Sequence, residues 1–255
     1  MNNTSLYNTR GSSYESARPG YPKALIDYLY QDLHFSEANA IADIGSGTGK
    51  FTQLLLERGS RVYAVEPNAE MRQIAERKLW NYPGFCSIDG TASCTGIEEK
   101  VDVITAAQAF HWFDSESFKH ECARILSPGG WISLLWNLRV PDAEITCACR
   151  ETFRKYCSRF IDFNIGMKED APEIYDFFDG KCEKGVFDNP LQYDEEQFVE
   201  RYLSSSYSLR KGEEGYEACI DSVREIFYRY SKNGVVEVPN QAICYSKLDQ
   251  TNKYL

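Results

Sequence analysis

Histidine is scarce, at three residues in 255, and no two of the nine cysteines form a C-x-x-C pair. Structural zinc sites need closely spaced Cys or His ligands, so no metal is expected. The one cysteine cluster is Cys147-Ala148-Cys149 with Cys157 beyond it. Residues two apart on a helix point away from each other, and the scattered set reads as free thiols in a reducing compartment. No apolar run approaches the roughly 18 residues of a membrane span, so no membrane partner is expected. The opening Met1-Asn2-Asn3-Thr4-Ser5-Leu6-Tyr7 has neither a basic nor an apolar region. A leader is therefore not expected, and the expected location is cytoplasmic. Positive charge is in deficit, with 28 Lys and Arg against 38 Asp and Glu. A net charge of -10 disfavours binding by phosphate neutralisation, so no nucleic-acid partner is expected.

What the chain does contain is a rhythm of short apolar runs and helical patterns. Ala40 to Ile44, Arg61 to Glu66, Phe85 to Ile88, Val101 to Ala107 and Trp131 to Trp136 read as strands. Helices are predicted from Tyr21, over Phe51 to Arg58, from an Asn68 cap to Leu79, and over Ser115 to Leu126. Strand alternating with helix implies an α/β fold with a parallel sheet. After Asn137 the rhythm breaks. Helices are expected near 143–160, 194–204 and 213–232, and a last strand pattern over Val235 to Lys247, interrupted by Pro239-Asn240. The resulting organisation is an N-terminal lid segment and helix (1–36), a ligand-binding core (37–137), a mainly helical substrate-side region (138–232) and a C-terminal strand completing the sheet (233–255). A pocket lid or a dimer surface would suit the aromatic C-terminal half equally well, so monomer and homodimer both stand.

Gly45-Ser46-Gly47-Thr48-Gly49-Lys50 follows the first strand and opens a helix. A phosphate-binding P-loop would need glycine at position 44 and Ser or Thr after the lysine, where Ile44 and Phe51 stand. A dinucleotide fingerprint would need glycine at position 50, so Lys50 disfavours a nicotinamide oxidoreductase. What remains is Asp43-x-Gly45-x-Gly47-x-Gly49, with Glu66 ending the second strand. A carboxylate there suits both hydroxyls of a ribose, and hence an adenosine ligand without a pyrophosphate.

Asp43-Ile44-Gly45-Ser46-Gly47-Thr48-Gly49, Val65-Glu66-Pro67 and Leu126-Ser127-Pro128-Gly129-Gly130 resemble class I S-adenosylmethionine-dependent methyltransferases. The resemblance covers about residues 14–137. Tyr14-x-x-x-Arg18-Pro19-x-Tyr21-Pro22, Gln108 to Phe113 and Trp136-Asn137 narrow it to the methyltransferase type 11-like, small-molecule branch. It implies a Rossmann-like, seven-stranded, mostly parallel sheet with helices on both faces, one antiparallel strand near an edge, and S-adenosylmethionine as cofactor. It also implies that Asp43, Gly45, Ser46 and Gly47 line the cofactor, with Glu66 and Pro67 at the ribose and Met71 at the adenine. Gly90-Thr91-Ala92 would lie beside the adenine amino group, where Asp89 competes with Thr91, and Gln108 near the sulfonium. Tyr14 and Arg18 would reach the cofactor from the N-terminal segment.

The expected reaction is in-line methyl transfer to an oxygen or nitrogen of a small molecule, where positioning is the main requirement. Tyr21, Phe110, Trp112 and Trp136 are the candidate pocket walls, and Arg139 a candidate for an anionic substrate. His111, with Asn137 beside it, is placed either as a base or as a positioning group. A carboxylate substrate needs no base, being ionised at neutral pH. The competing class is a protein that binds the cofactor as a sensor or an inactive partner.

Overall fold

The computed structural model describes residues 20–163, 169–205 and 207–249. Its main sheet has seven strands in the order β3-β2-β1-β4-β5-β9-β6. They are β1 (Ala40–Ile44), β2 (Arg61–Val65), β3 (Phe85–Ile88), β4 (Val101–Ala107), β5 (Leu126–Arg139), β6 (Glu183–Asp188) and β9 (Asn240–Leu248). The first five pair in parallel, whereas β9 runs antiparallel to both β5 and β6. A strand buried on both faces has no alternation to show, which is why β1 and β4 read as near-continuous apolar runs.

Two helical layers cover the sheet. Helices α1 (Lys23–Gln31), α2 (Lys50–Leu56) and α3 (Ala69–Leu79) bury Leu25, Leu29, Leu55 and Leu79 against Ile41, Val62 and Val103. On the opposite face, α4 (Ser115–Ile125) and α6 (Pro172–Phe177) pack Phe118, Cys122 and Phe177 on Ile44, Ile104 and Trp136. A third core is separate. It joins α5 (Glu144–Tyr156), α7 (Glu195–Leu203) and α8 (Tyr216–Tyr230) with a two-stranded ribbon of β7 (Leu191–Tyr193) and β8 (Val236–Val238). Phe153, Phe198, Tyr202 and Phe227 fill it.

The C-terminal half differs from its sequence reading in two places. The pattern Val235 to Lys247 divides at its Pro239-Asn240 interruption, and its first part, β8, pairs with β7 instead of the sheet, since Pro239 cannot donate to a ladder. The region 138–232 is helical but also supplies β6, the outer strand of the sheet. β5 runs on to Arg139, three residues past the predicted end, and stays paired there with Asn240.

Order 3-2-1-4-5 reverses direction between β1 and β4, and the crevice at such a switch point is where open α/β sheets bind ligands. The glycine turn leaves β1 at this point. Its last member, Gly49, has φ 76° and starts α2 against α3. A Cβ there would come within 2.6 Å of Leu79 Cδ1 and 3.2 Å of Ala75 Cβ. Gly49→Ala therefore adds backbone strain to overpacking, and a loss of about 2–3 kcal/mol is expected in urea unfolding. An unchanged midpoint would show that α3 yields freely.

Candidate active site

The base of the site is a buried carboxyl group. Asp43 is fully buried and accepts the Thr52 hydroxyl of α2 at 2.6 Å and the Thr105 hydroxyl of β4 at 3.0 Å. Expected at the cofactor, it instead ties three elements together beneath the glycine turn. Burial raises its pKa to about 6, against the two hydroxyl bonds that favour the charged form.

Above it, the amides of Gly45 and Ser46 both donate to Val65 O, at 2.8 and 3.1 Å, so the turn crosses from β1 to the end of β2. Gly45 has φ 70°, and a Cβ on it would meet Ala109 Cβ at 2.7 Å and the Phe113 ring at 3.3 Å. Glycine is needed there for conformation and for space alike. Glu66, directly after β2, is 7 % exposed. Its Oε2 accepts the Gly47 amide at 2.9 Å and its Oε1 the Asn68 amide at 2.8 Å. Burial pushes its pKa up, while those two amides and Arg72 oppose the shift. Asn68 caps α3 by accepting from Glu70 N and Met71 N, which turns Met71 toward the same crevice. The Met71 sulfur would lie 4.0 Å from a Cβ on Gly47.

The wider rim is partly committed already. Asp89 is paired with Arg72 at 2.9 Å, and Thr91 Oγ1 accepts the Cys94 amide at 3.2 Å. Gly90 has no room for a side chain, since a Cβ would sit 2.3 Å from Thr95 O. Ala92 is half-buried beside it and Pro67 is exposed.

At the other strand ends, Gln108 has φ 57°, an uncommon conformation for a residue with a side chain. Its amide donates to Leu135 O at 2.8 Å and its Nε2 to Asn137 O at 3.0 Å, which hold it there. Strain of this kind collects at functional sites. Asn137 Nδ2 donates to Gly20 O at 3.2 Å, and Asn189 donates to Gly20 O and to Asn137 Oδ1, both at 2.9 Å. The N-terminal segment is thereby anchored across the end of β5, with Tyr21 edge-on to Phe51 at 5.0 Å. Tyr14 and Arg18 lie outside the described residues.

The aromatic residues divide by depth. Trp112 is 54 % exposed, while Phe110 and Trp136 are buried in the sheet core. Trp136 Nε1 donates to His111 Nδ1 at 3.4 Å. With Nδ1 accepting, a neutral His111 carries its proton on Nε2. Trp136, expected in the wall, is buried beside His111 and donates to its Nδ1.

A fit to an adenosine ligand can be judged from the turn itself. Ser46 Oγ is buried and has no hydrogen-bond partner among the described residues. A buried hydroxyl left so is rare in proteins unless a ligand or water completes it. With Glu66 at the ribose position and glycines allowing close approach, the residues present fit S-adenosylmethionine. The strand order, the switch point and this cradle define a Rossmann-like nucleoside-binding domain.

Comparison with known proteins is more specific. Residues 42–134 match the methyltransferase domain family. An uncharacterized methyltransferase-like protein of Schizosaccharomyces pombe is 32% identical over 162 residues, 62% of each chain. A second from the same yeast is 24% identical over 246 residues, 94% of this chain and 95% of that one. An uncharacterized methyltransferase of Mycobacterium tuberculosis is 40% identical over 128 residues, half of each chain. The matched stretch thus spans less than two thirds of the first relative and half of the mycobacterial one. Among solved structures, a candidate type II methyltransferase from Anaeromyxobacter dehalogenans superposes with TM-score 0.63 at 21% identity, over 91% of this chain and 96% of that one. Residues 42–134 are thus similar to the methyltransferase domain family, and the chain shares the Rossmann-like fold of the solved methyltransferase.

The raised Asp43 pKa has a measurable consequence. Between the ordinary Asp value of 3.8 and about 6 the native chain binds the extra proton, so stability falls as pH rises through that window. The span corresponds to about 3 kcal/mol. Asp43→Asn keeps the shape without the charge. The gap in unfolding free energy between the two proteins should therefore shift in the variant's favour from pH 4 to pH 6.5. Parallel pH curves would mean that Asp43 titrates normally.

Proposed function

We propose that this protein transfers a methyl group from S-adenosylmethionine to an oxygen or nitrogen of a small molecule. The observation that carries the reading is the Glu66 carboxylate, buried at the end of β2 and bridged to the Gly47 amide. In this reading Glu66 holds the ribose hydroxyls, and Gly45, Ser46 and Gly47 flank the methionine portion. Met71 packs on the adenine. S-adenosylmethionine supplies a methyl group already activated on a sulfonium, so the chain's task is alignment, which is worth up to about 7–11 kcal/mol.

Alignment falls to Gln108, Asn137 and His111. The bonded pair Gln108 and Asn137 joins the ends of β4 and β5, the edge that the methyl group would face. His111 offers an N–H from Nε2, because Trp136 occupies Nδ1. That favours positioning of the acceptor atom over proton abstraction, since taking a proton at Nδ1 would displace the Trp136 bond. Phe110 and Phe113 help to keep water from the reacting atoms.

Three measurements test the proposal. Thermal unfolding with S-adenosylhomocysteine at about 100 times its Kd should raise the midpoint by about 5–10 °C. NAD should leave it unchanged. Glu66→Gln faces an amide N–H₂ toward a backbone N–H and should weaken the nucleoside by tenfold or more. A shift with NAD alone would sink the reading; binding of the sulfur nucleosides without methyl transfer to any small-molecule panel would make the chain a sensor. His111→Ala should lower kcat by about 10–100-fold and leave S-adenosylhomocysteine affinity intact. Loss of that affinity in the variant would assign His111 to the cofactor instead.

A further inference from the structure

Two arginines come together where β5 runs out beneath the helical cap. Arg139, the last residue of β5, lies with its guanidinium 4.3 Å from the ring centroid of Phe163 and 5.3 Å from that of Tyr202. Arg201 precedes Tyr202 on α7. Burial, and then the neighbouring Arg139 charge, hold the Arg201 pKa below its ordinary value. Both groups nonetheless stay charged at neutral pH. Tyr193 and Tyr207 stand close to the pair. Arg201 Nε is buried and donates no hydrogen bond, and Arg201 makes no ion pair among the described residues.

Two like charges set side by side among aromatic rings are unfavourable in isolation. A buried donor with no acceptor adds a further penalty, larger for a charged group. Had the cap needed only packing, Met or Leu would serve better at position 201. The arrangement makes sense if an anion completes it. Guanidinium forks match planar oxygen pairs, and aromatic faces suit a flat organic body.

Position fixes the distance to the chemistry. Asn137 and Arg139 are alternate residues of one strand and project from the same face. Their separation along the strand is about 7 Å. An anion on the arginines is therefore on the same side of β5 as the Asn137 side chain. It anchors the substrate and is not itself the atom that accepts the methyl group.

We propose that Arg139 and Arg201 form an anion-binding subsite, and that the substrate carries a carboxylate or phosphate seated between them. This rests on the reading of the chain as a small-molecule methyltransferase. The test is calorimetric titration of the full chain, saturated with S-adenosylhomocysteine, with benzoate, phenyl phosphate and the neutral benzamide. At least one anion should bind tenfold or more tightly than benzamide, and whichever anion is preferred assigns the group.

Arg201→Met should weaken that anion tenfold or more, leave S-adenosylhomocysteine affinity unchanged, and keep or raise the unfolding midpoint. Arg201→Lys, with the charge but not the fork, should fall between. Equal binding of all three probes, or saturable binding of none, would overturn the subsite. So would a lower midpoint in Arg201→Met with anion binding intact, which would make Arg201 part of the cap's framework. Nucleoside binding is titrated separately, so failure of the subsite and failure of the methyltransferase reading give different results.

Discussion

The carboxyl group of Asp43 is the constraint on which the rest of the site depends. It reaches from the end of β1 to hydroxyls on α2 and β4 at once. Those are the elements on either side of the topological switch point. Glycine holds three of the six positions in the turn above them, and the buried Ser46 hydroxyl makes no hydrogen bond among the described residues. The turn's shape comes from the strand ends it leaves and meets, through the two amides on Val65 O and the close fit of Gly45 under Ala109 and Phe113. A threonine hydroxyl can donate to a carboxyl oxygen and still be sealed from water, so the pairing satisfies every buried polar atom it involves. The raised Asp43 pKa records what it costs to keep that group dry.

Glu66 repeats the logic one strand over, with a difference. Asp43 uses its oxygens wholly within the protein, while Glu66 gives each oxygen one backbone amide and keeps a little exposed surface. A carboxylate has about four acceptor positions, so two remain for a ligand. Two acidic residues at strand ends thus have separate work, one structural and one facing the crevice, and only their surroundings tell them apart.

Legibility in the sequence follows the same divide. Most of the parallel strands were readable because burial on both faces gives them nearly continuous apolar runs, as in β1, β2 and β4. β6 was not, since Glu183-Lys184-Gly185-Val186-Phe187-Asp188 is an outer strand that alternates charge with half-buried residues. Nothing short of the pairing with β9 identifies it as sheet. The glycine turn was readable because its geometry is local, with glycines spaced by two and an acid at the next strand end. The burial of Trp136 was not readable, because an aromatic residue at a strand end looks the same whether it is open or covered. Arg201 carried no signal at all. Between Glu200 and Tyr202 on an amphipathic helix, it reads as a solvated face.

The cap explains why substrate chemistry is the hardest part to read. The cofactor half is built from residues close in sequence around β1 and β2, whereas the far half draws on β5, α7 and the segment near Phe163. Contacts such as Arg139 on Phe163 and Tyr202 join positions 24 and 63 residues apart. Such contacts leave no spacing to recognise. Charge does leave a trace, but only against its background. The chain is acidic overall, at -10, and among its described arginines most are matched with a carboxylate, as Arg58, Arg61, Arg72, Arg124, Arg150, Arg159 and Arg224 are. In a protein with acids to spare, Arg201, half-buried and with no carboxylate partner among the described residues, is a specific departure. It marks the place where the counter-charge is to come from outside the chain.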